Sequence, residues 1–238
     1  MEQSKLAQID SYSLLELPTD QLLNYFGAGR ASPGSGSAAA LLAILSCKMI
    51  MTVCDISQKK DECRVARKEF GLIKIRVSEV IEPRLKTLFD ADAKDFEEVI
   101  KLRKLRDNAA DPKEKSKYSR QASNMLETAT DYTFEIAEKS LKLMEYGVTM
   151  FEDGWHAIRG DSGVSISAAL SAVMSCIFII NLNLKTLKKR KYSKLNIAKV
   201  IELQKKLQQM QDKAFSCVTT ISSESIDAVQ LKLKMSKF

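Results

Sequence analysis

Two short stretches, residues 27–36 and 154–163, hold seven of the nine glycines in the chain, and each runs into a helix-forming segment of small residues. The first ends in Arg30-Ala31-Ser32-Pro33-Gly34-Ser35-Gly36-Ser37, followed by Ala38-Ala39-Ala40-Leu41. The first turn of a helix carries N–H groups with no partner inside the helix. A turn such as Gly34 to Ser37 can therefore receive a carboxylate, a phosphate or an electron-rich carbonyl. It can equally be a plain capped turn in which the Ser37 hydroxyl serves its own helix. It lacks the Gly-Lys-Ser/Thr ending of a phosphate-binding Walker loop, a helix rather than a strand precedes it, and the Rossmann glycine spacing is absent.

The second stretch is Gly154-Trp155-His156-Ala157-Ile158-Arg159-Gly160-Asp161-Ser162-Gly163. Asp161, between two glycines, is the acid best placed for chemistry, and it is also well placed to cap the next helix. His156 is the only histidine; a lone imidazole can exchange protons near neutral pH or be an ordinary loop residue. Asp90, Asp92 and Asp95 form a third cluster. On a helix Asp90 and Asp92 point about 200° apart, so they cannot serve one site, whereas Asp92 and Asp95 share a face. No histidine-cysteine-carboxylate spacing suggests a metal.

These residues need helices to position them. Ala, Leu, Ile, Lys, Glu and Ser dominate, and no alternating β-branched run appears, so the chain reads as all-α. Pro18-Thr19-Asp20 starts a helix with Thr19 as cap, ending at Phe26 to Gly29. A nearly all-apolar helix runs from Gly36 or Ser37 to Ser57, as expected in the middle of a bundle. Lys59 to Asp107 is amphipathic, and Pro83 should kink or split it. Asp111 and Pro112 read as cap and first residue of a helix reaching about Tyr146, with a shorter piece to Asp153. A small-residue helix spans Ser165 to Leu187. The last helix begins near Ser193 or Leu195, carries the seam Leu203, Leu207, Met210, Ala214 and Val218, and ends in a polar turn at Ser222 to Ser225. With no internal linker, residues 1–238 form a single domain, a bundle of long antiparallel helices.

The formal net charge is +7, concentrated in Lys185 to Lys194. That run is either an anion patch for nucleic acid or an acidic partner, or a solvated turn whose cations suit the preceding helix end. Cys47, Cys54, Cys63, Cys176 and Cys217 are odd in number and lack C-x-x-C spacing, which favours free core thiols in a reducing compartment. Met1 to Lys5 leads into no apolar signal core, so a cytoplasmic location is expected. Ser37–Val53 and Val164–Leu182 are apolar enough to raise a membrane span, but Lys48 and the small residues fit buried helices better.

Pro33-Gly34-Ser35-Gly36-Ser37-Ala38-Ala39-Ala40 resembles the P-G-G-G-S-A-A-A signature of the cyclodeaminase/cyclohydrolase family. Asp90-Ala91-Asp92-Ala93-Lys94-Asp95-Phe96 is similar to its D-x-D-A-x-A-F segment, Gly160-Asp161-Ser162-Gly163-Val164 to its S-D-x-G-V-A turn, and Leu182-Asn183-Leu184 to its I-N-L. The four segments keep the family's order across residues 14–187, leaving 188–238 as a C-terminal helical extension. The resemblance implies a helical domain that forms a homodimer or higher homo-oligomer and binds a folate-type small molecule where the glycine turns gather. It implies no permanently bound cofactor, with a tetrahydrofolate derivative as substrate.

The chemistry implied is water addition at a methenyl carbon bridging N5 and N10, or ring closure of a formimino group with loss of ammonia. Asp161 is the first carboxylate expected to assist, and Asp92 the second. Gly34, Ser35, Gly36 and Ser37 would orient substrate, Asn183 would bond the pterin or fix its helix end, and Arg30 or Arg159 would meet the glutamate carboxylates. Some positions differ from the family pattern. Ser35 replaces the middle glycine, Arg106-Asp107 stands in place of Pro-Lys, Trp155 replaces an asparagine, Gly160 a serine, and Ile179 an asparagine. A catalytically silent helical scaffold is the alternative these differences raise; a nucleic-acid or acidic-partner binder using residues 185–194 is another.

Overall fold

The computed structural model describes residues 13–235, with side chains through residue 230. The reading of the extreme N-terminus lies outside the described residues. Among the described residues there are seven α-helices: α1 Thr19–Gly27, α2 Ser35–Ser57, α3 Arg67–Arg76, α4 Glu82–Asn108, α5 Pro112–Asp153, α6 Arg159–Thr186 and α7 Lys191–Met235. No strand occurs among the described residues.

The central helix is α2. Ala39, Ala40, Ala43, Cys47 and Ile50 are fully buried along it, so α4, α5 and α6 can pack around it. Its neighbours run antiparallel to it where the contacts define direction. Ser37 meets Phe89 and Asp92 of α4 near one end of α2, while Lys48 reaches Glu82 further along. Ser57, at the far end, accepts a hydrogen bond from the Trp155 N–H at 3.0 Å, just before α6 begins. Lys48, the charge that interrupts the apolar run, bonds the buried Glu82 at 2.7 Å, and Lys86 bonds it at 2.6 Å. Burial opposes the Glu82 charge, but hydrogen bonds from the two lysines outweigh it and hold its carboxyl below the ordinary range. By length and composition α2 and α6 could each cross a membrane; both bury a face against other helices of the bundle.

Pro83 splits the long amphipathic segment as expected. Proline supplies no N–H to the helix ladder, and a π turn at Val77–Ile81 takes up the break before α4. Asp111 caps α5, its side chain accepting from Lys113 N–H at 2.9 Å. All five cysteines are buried as free thiols.

Four helix boundaries differ from the sequence expectation. Pro18, not Thr19, precedes α1, and it makes no side-chain cap. α5 is one helix of 42 residues with no break at Tyr146. The small-residue helix starts at Arg159 rather than Ser165, which draws Gly160, Asp161 and Gly163 into its first turns. α7 runs 45 residues through the serines at 222–225, because a serine can return its hydroxyl to the helix; Ser222 bonds the Val218 carbonyl at 2.8 Å.

α5 and α6 approach closely at Gly147. A β-carbon there would stand 2.7 Å from Ile166 Cγ1 and 2.8 Å from Ser165 Oγ. Gly147→Ala should therefore cost about 1–3 kcal/mol through overpacking, lowering Tm by several degrees in a thermal melt; an unchanged Tm would mean that the two helices separate freely.

Candidate active site

The first glycine turn is anchored to α4 from several directions. Ser32 Oγ donates to the Ala93 carbonyl at 2.6 Å, Leu14 N–H donates to Asp90 at 3.2 Å, and Phe26 packs edge-on against Phe89. Asp90 therefore holds the chain before α1, and its neighbour but one, Asp92, faces the opposite way into the bundle.

Gly34 takes the cap position of α2 without a side-chain hydrogen bond. Ser37 does not cap its own helix. Its hydroxyl bridges to α4, 3.1 Å from the Phe89 carbonyl and 3.0 Å from Asp92 Oδ2, and its backbone N–H also favours the charged form of the Asp92 carboxylate. Asp92 thus places its carboxylate at the N-terminus of α2 from a different helix, where free amides and the helix dipole favour negative charge. Gly36 makes this possible: a β-carbon there would lie 2.5 Å from both the carboxylate carbon and Oδ2 of Asp92. The first glycine turn allows close packing and presents a polar end in the same place.

Burial is the strongest influence on Asp92. It pushes the carboxyl up to about 6, against the lowering effect of the Ser37 hydrogen bonds and with a small contribution from the charge of Asp95. Asp95 itself accepts from Tyr132 Oη at 3.0 Å. Asp92 opens onto a cavity of about 130 Å³ lined by Ala31, Gly34, Ser35, Gly36, Phe96, Ala129, Ile179 and Asn183. A carboxylate that titrates near 6 beside a cavity can take a proton from water or an amine at neutral pH. The cavity is below the about 300–1,000 Å³ of a site that encloses a whole ligand of drug size; it suits the reacting end of a larger molecule.

The structure thus brings Gly34, Ser35, Gly36, Ser37, Asp92 and Asn183 together. Ser35 is exposed at the mouth, and Ile179 gives that wall an apolar side chain. Arg30 is exposed one residue before the lining. Two expected residues are elsewhere in the protomer. Asp161 lies in the first turn of α6, about 33 Å along that helix from Asn183. Arg159 is buried beside it and committed internally: Nε donates to the Phe151 carbonyl at 2.9 Å and Nη1 to Glu224 at 2.8 and 3.0 Å. His156 is exposed and contacts Arg159 at 2.9 Å, at the same distant end. The antiparallel run of α2 and α6 separates the two glycine turns, so within one chain Asp161 cannot share the Asp92 cavity. Ala129, from α5, belongs to the lining and carries no sequence signal that could have revealed it.

The basic run forms the turn between α6 and α7. Arg190 pairs with Glu127 and donates to Asn124 at 2.7 Å, Ser193 bonds the Leu184 and Leu187 carbonyls, and Leu187 is buried. The lysines at 185, 188, 189, 191 and 194 remain exposed.

The sequence model of the formiminotransferase-cyclodeaminase family matches residues 18–202. The chain belongs to that family. A formiminotetrahydrofolate cyclodeaminase from Thermotoga maritima has the same fold, with a TM-score of 0.75 at 16% identity over 88% of this chain and 99% of that one. No curated protein matches the chain. The family match ends inside α7, whose last part extends beyond it.

Proposed function

We propose that this protein is a folate one-carbon enzyme of the cyclodeaminase or cyclohydrolase type, and that Asp92 rather than Asp161 is the carboxylate nearest the reacting carbon. The observation that carries this reading is the ionisable Asp92 carboxylate held by Ser37 at the α2 N-terminus and open to a small cavity. Family membership supports the folate substrate.

In the hydrolytic reaction, water attacks the methenyl carbon of the N5–N10 bridge. Asp92 takes a water proton as the C–O bond forms, and the adduct's C–N bond to N5 breaks as N5 regains a proton, leaving the formyl group on N10. In the deaminating reaction, N10 attacks the carbon of a protonated N5-formimino group. Its proton passes by way of Asp92 to the departing nitrogen, which leaves as ammonia. Both routes pass through a tetrahedral carbon next to a delocalised cation, which an adjacent carboxylate stabilises. Asn183 would hydrogen-bond the pterin edge, and exposed Arg30 would meet a glutamate carboxylate.

The test is the loss of methenyl-tetrahydrofolate absorbance on adding protein, with ammonia release from formimino-tetrahydrofolate measured in parallel. Activity above the uncatalysed rate in either assay supports the reading and identifies the reaction. Activity in neither would favour the silent-scaffold reading, which Ile179 and Ser35 at the cavity support. Ser35→Gly should remove a side chain from the mouth and lower KM several-fold with little change in Tm; a raised KM would mean that the Ser35 hydroxyl itself binds substrate.

A further inference from the structure

The basic run between α6 and α7 does not stand alone. Residues 101–120 hold eight cations and three acids, and residues 185–194 hold six cations and no acid, a net +11 in a chain whose whole charge is +7. The fold brings the two segments to one end of the bundle. Val99 of α4, Leu126 of α5 and Leu187 of the α6–α7 turn pack in a small apolar cluster of their own. Past that cluster α4 continues for nine residues, and α5 begins fourteen residues before it. The two therefore form a hairpin that projects about 14–21 Å beyond the turn.

On α5 the cations are ordered. Lys113, Lys117, Arg120, Asn124 and Glu127 follow one another at intervals of four and three, within about 80° of the helix circumference. The last two fix the α6–α7 turn against α5: Arg190 donates to Asn124 at 2.7 Å and pairs with Glu127. The stripe thus runs down the side of the hairpin onto Lys188, Lys189 and Lys191, and all six of these cations are exposed. The ion pairs at this end belong to Lys101, Arg106, Arg190 and Lys199, none of them among the six. From Lys113 to Asn124 the track is about 16 Å long before it reaches the turn.

The track fits a rod of negative charge. Asp107, Asp111 and Glu114 crowd the tip of the hairpin and would be pressed against a flat anionic membrane meeting this end, whereas a rod lying along the side of α5 avoids them. The track also offers no free aromatic ring on which an unpaired base could stack. Tyr118 is half-buried and lies about 140° round α5 from Lys113, and Tyr192 gives its hydroxyl to Asp131 at 2.6 Å. A duplex, which hides its bases, needs no such ring. The track is separate from the Asp92 cavity: Ala129, which lines that cavity, faces about 160° away from Lys113 on α5.

We propose that the side of the α4–α5 hairpin and the α6–α7 turn bind the phosphate backbone of a double-stranded nucleic acid. Lysines and an arginine set along a helix side meet phosphates and carry no base readout, so the binding is independent of sequence. It is also independent of the folate reading.

The test is a fluorescence-anisotropy titration of the full chain against a labelled DNA duplex of mixed sequence, about 20 bp long, between 50 and 200 mM salt. Six phosphate contacts give a slope of log K against log salt of about −5, and a loss of about 10³ in affinity across that range. Lys113→Gln/Lys117→Gln/Arg120→Gln and Lys188→Gln/Lys189→Gln/Lys191→Gln should each flatten the slope by about 3 and weaken binding at least about tenfold at 50 mM salt, with circular dichroism unchanged. Lys59→Gln/Lys205→Gln/Lys213→Gln removes the same charge from exposed lysines elsewhere and should bind as the wild type does. Duplex RNA should bind with a similar slope, and either strand alone more weakly. No binding at 50 mM salt overturns the proposal. So does a control triple that loses as much affinity as the two track variants, or a single strand that binds more tightly than the duplex. Phosphatidylserine vesicles or poly-glutamate bound more tightly than the duplex at equal charge concentration would overturn it too. Asp92→Asn should bind the duplex unchanged, so failure of the folate reading leaves this result standing.

Discussion

Asp92→Asn is expected to lower turnover of the active folate substrate by at least about 100-fold, the lower end of what a positioned proton-transfer group contributes. The amide keeps the shape and an acceptor for Ser37 but cannot take a proton. The wild-type rate should rise about tenfold per pH unit below 6 and level off above it, because burial holds Asp92 protonated until that range; the residual rate of the variant should lack that inflection. The same substitution should stabilise the fold. The folded carboxyl titrates near 6, against an ordinary value of 3.8. Between those two values the native state holds a proton that the unfolded state has released, so stability falls as pH rises through the window and stays lower above it. An uncharged amide escapes that loss. At pH 7.5 the variant should gain roughly 1–3 kcal/mol, or several degrees in Tm, and at pH 4 the gain should disappear. A variant that is less stable at pH 7.5 would show that the carboxylate is there to cap α2, and its catalytic role would lose its support.

Gly36→Ala carries the second large effect. Its methyl would occupy the position of the Asp92 carboxylate, 2.5 Å from Oδ2, and both residues sit on rigid helices. Either Asp92 turns away from Ser37 or α2 and α4 separate. We expect about 2 kcal/mol of destabilisation from overpacking and a loss of activity comparable to that of Asp92→Asn, measured by a thermal melt and the absorbance assay together. Wild-type activity in Gly36→Ala would mean that the carboxylate has no fixed place in the reaction. Ser37→Ala, which removes one donor from Asp92, should give a smaller loss and shift the inflection of the rate profile upward.

The all-helical architecture is legible in the sequence because the information is local: the apolar run of α2, the Asp111-Pro112 start of α5 and the break at Pro83 each act over one or two turns. The clustering of Gly34, Ser35, Gly36, Ser37, Asp92 and Asn183 is legible only through the resemblance of their segments to a family, since no spacing on one helix reveals which other helix it faces. Asp161 shows the limit. Its motif resembles the family's as closely as the others do, but whether it reaches the same cavity depends on the antiparallel run of α2 and α6, a tertiary fact. Arg159 departs from its expected role for a related reason: a conspicuous cation in a glycine turn gives no sign that Glu224, 65 residues later, will neutralise it. Ser37 reads as a cap, and only the approach of α4 turns its hydroxyl to Asp92.

The most direct test is a crystal structure of the full chain with 5-formyl-tetrahydrofolate, a stable analogue that carries its one-carbon unit on N5. The expected result is that unit within about 3.5 Å of the Asp92 carboxylate, with the pterin beside Asn183 and the first turn of α2. An analogue bound with its one-carbon unit away from Asp92, or seated in the groove between α6 and α7, would contradict the proposed role of this carboxylate.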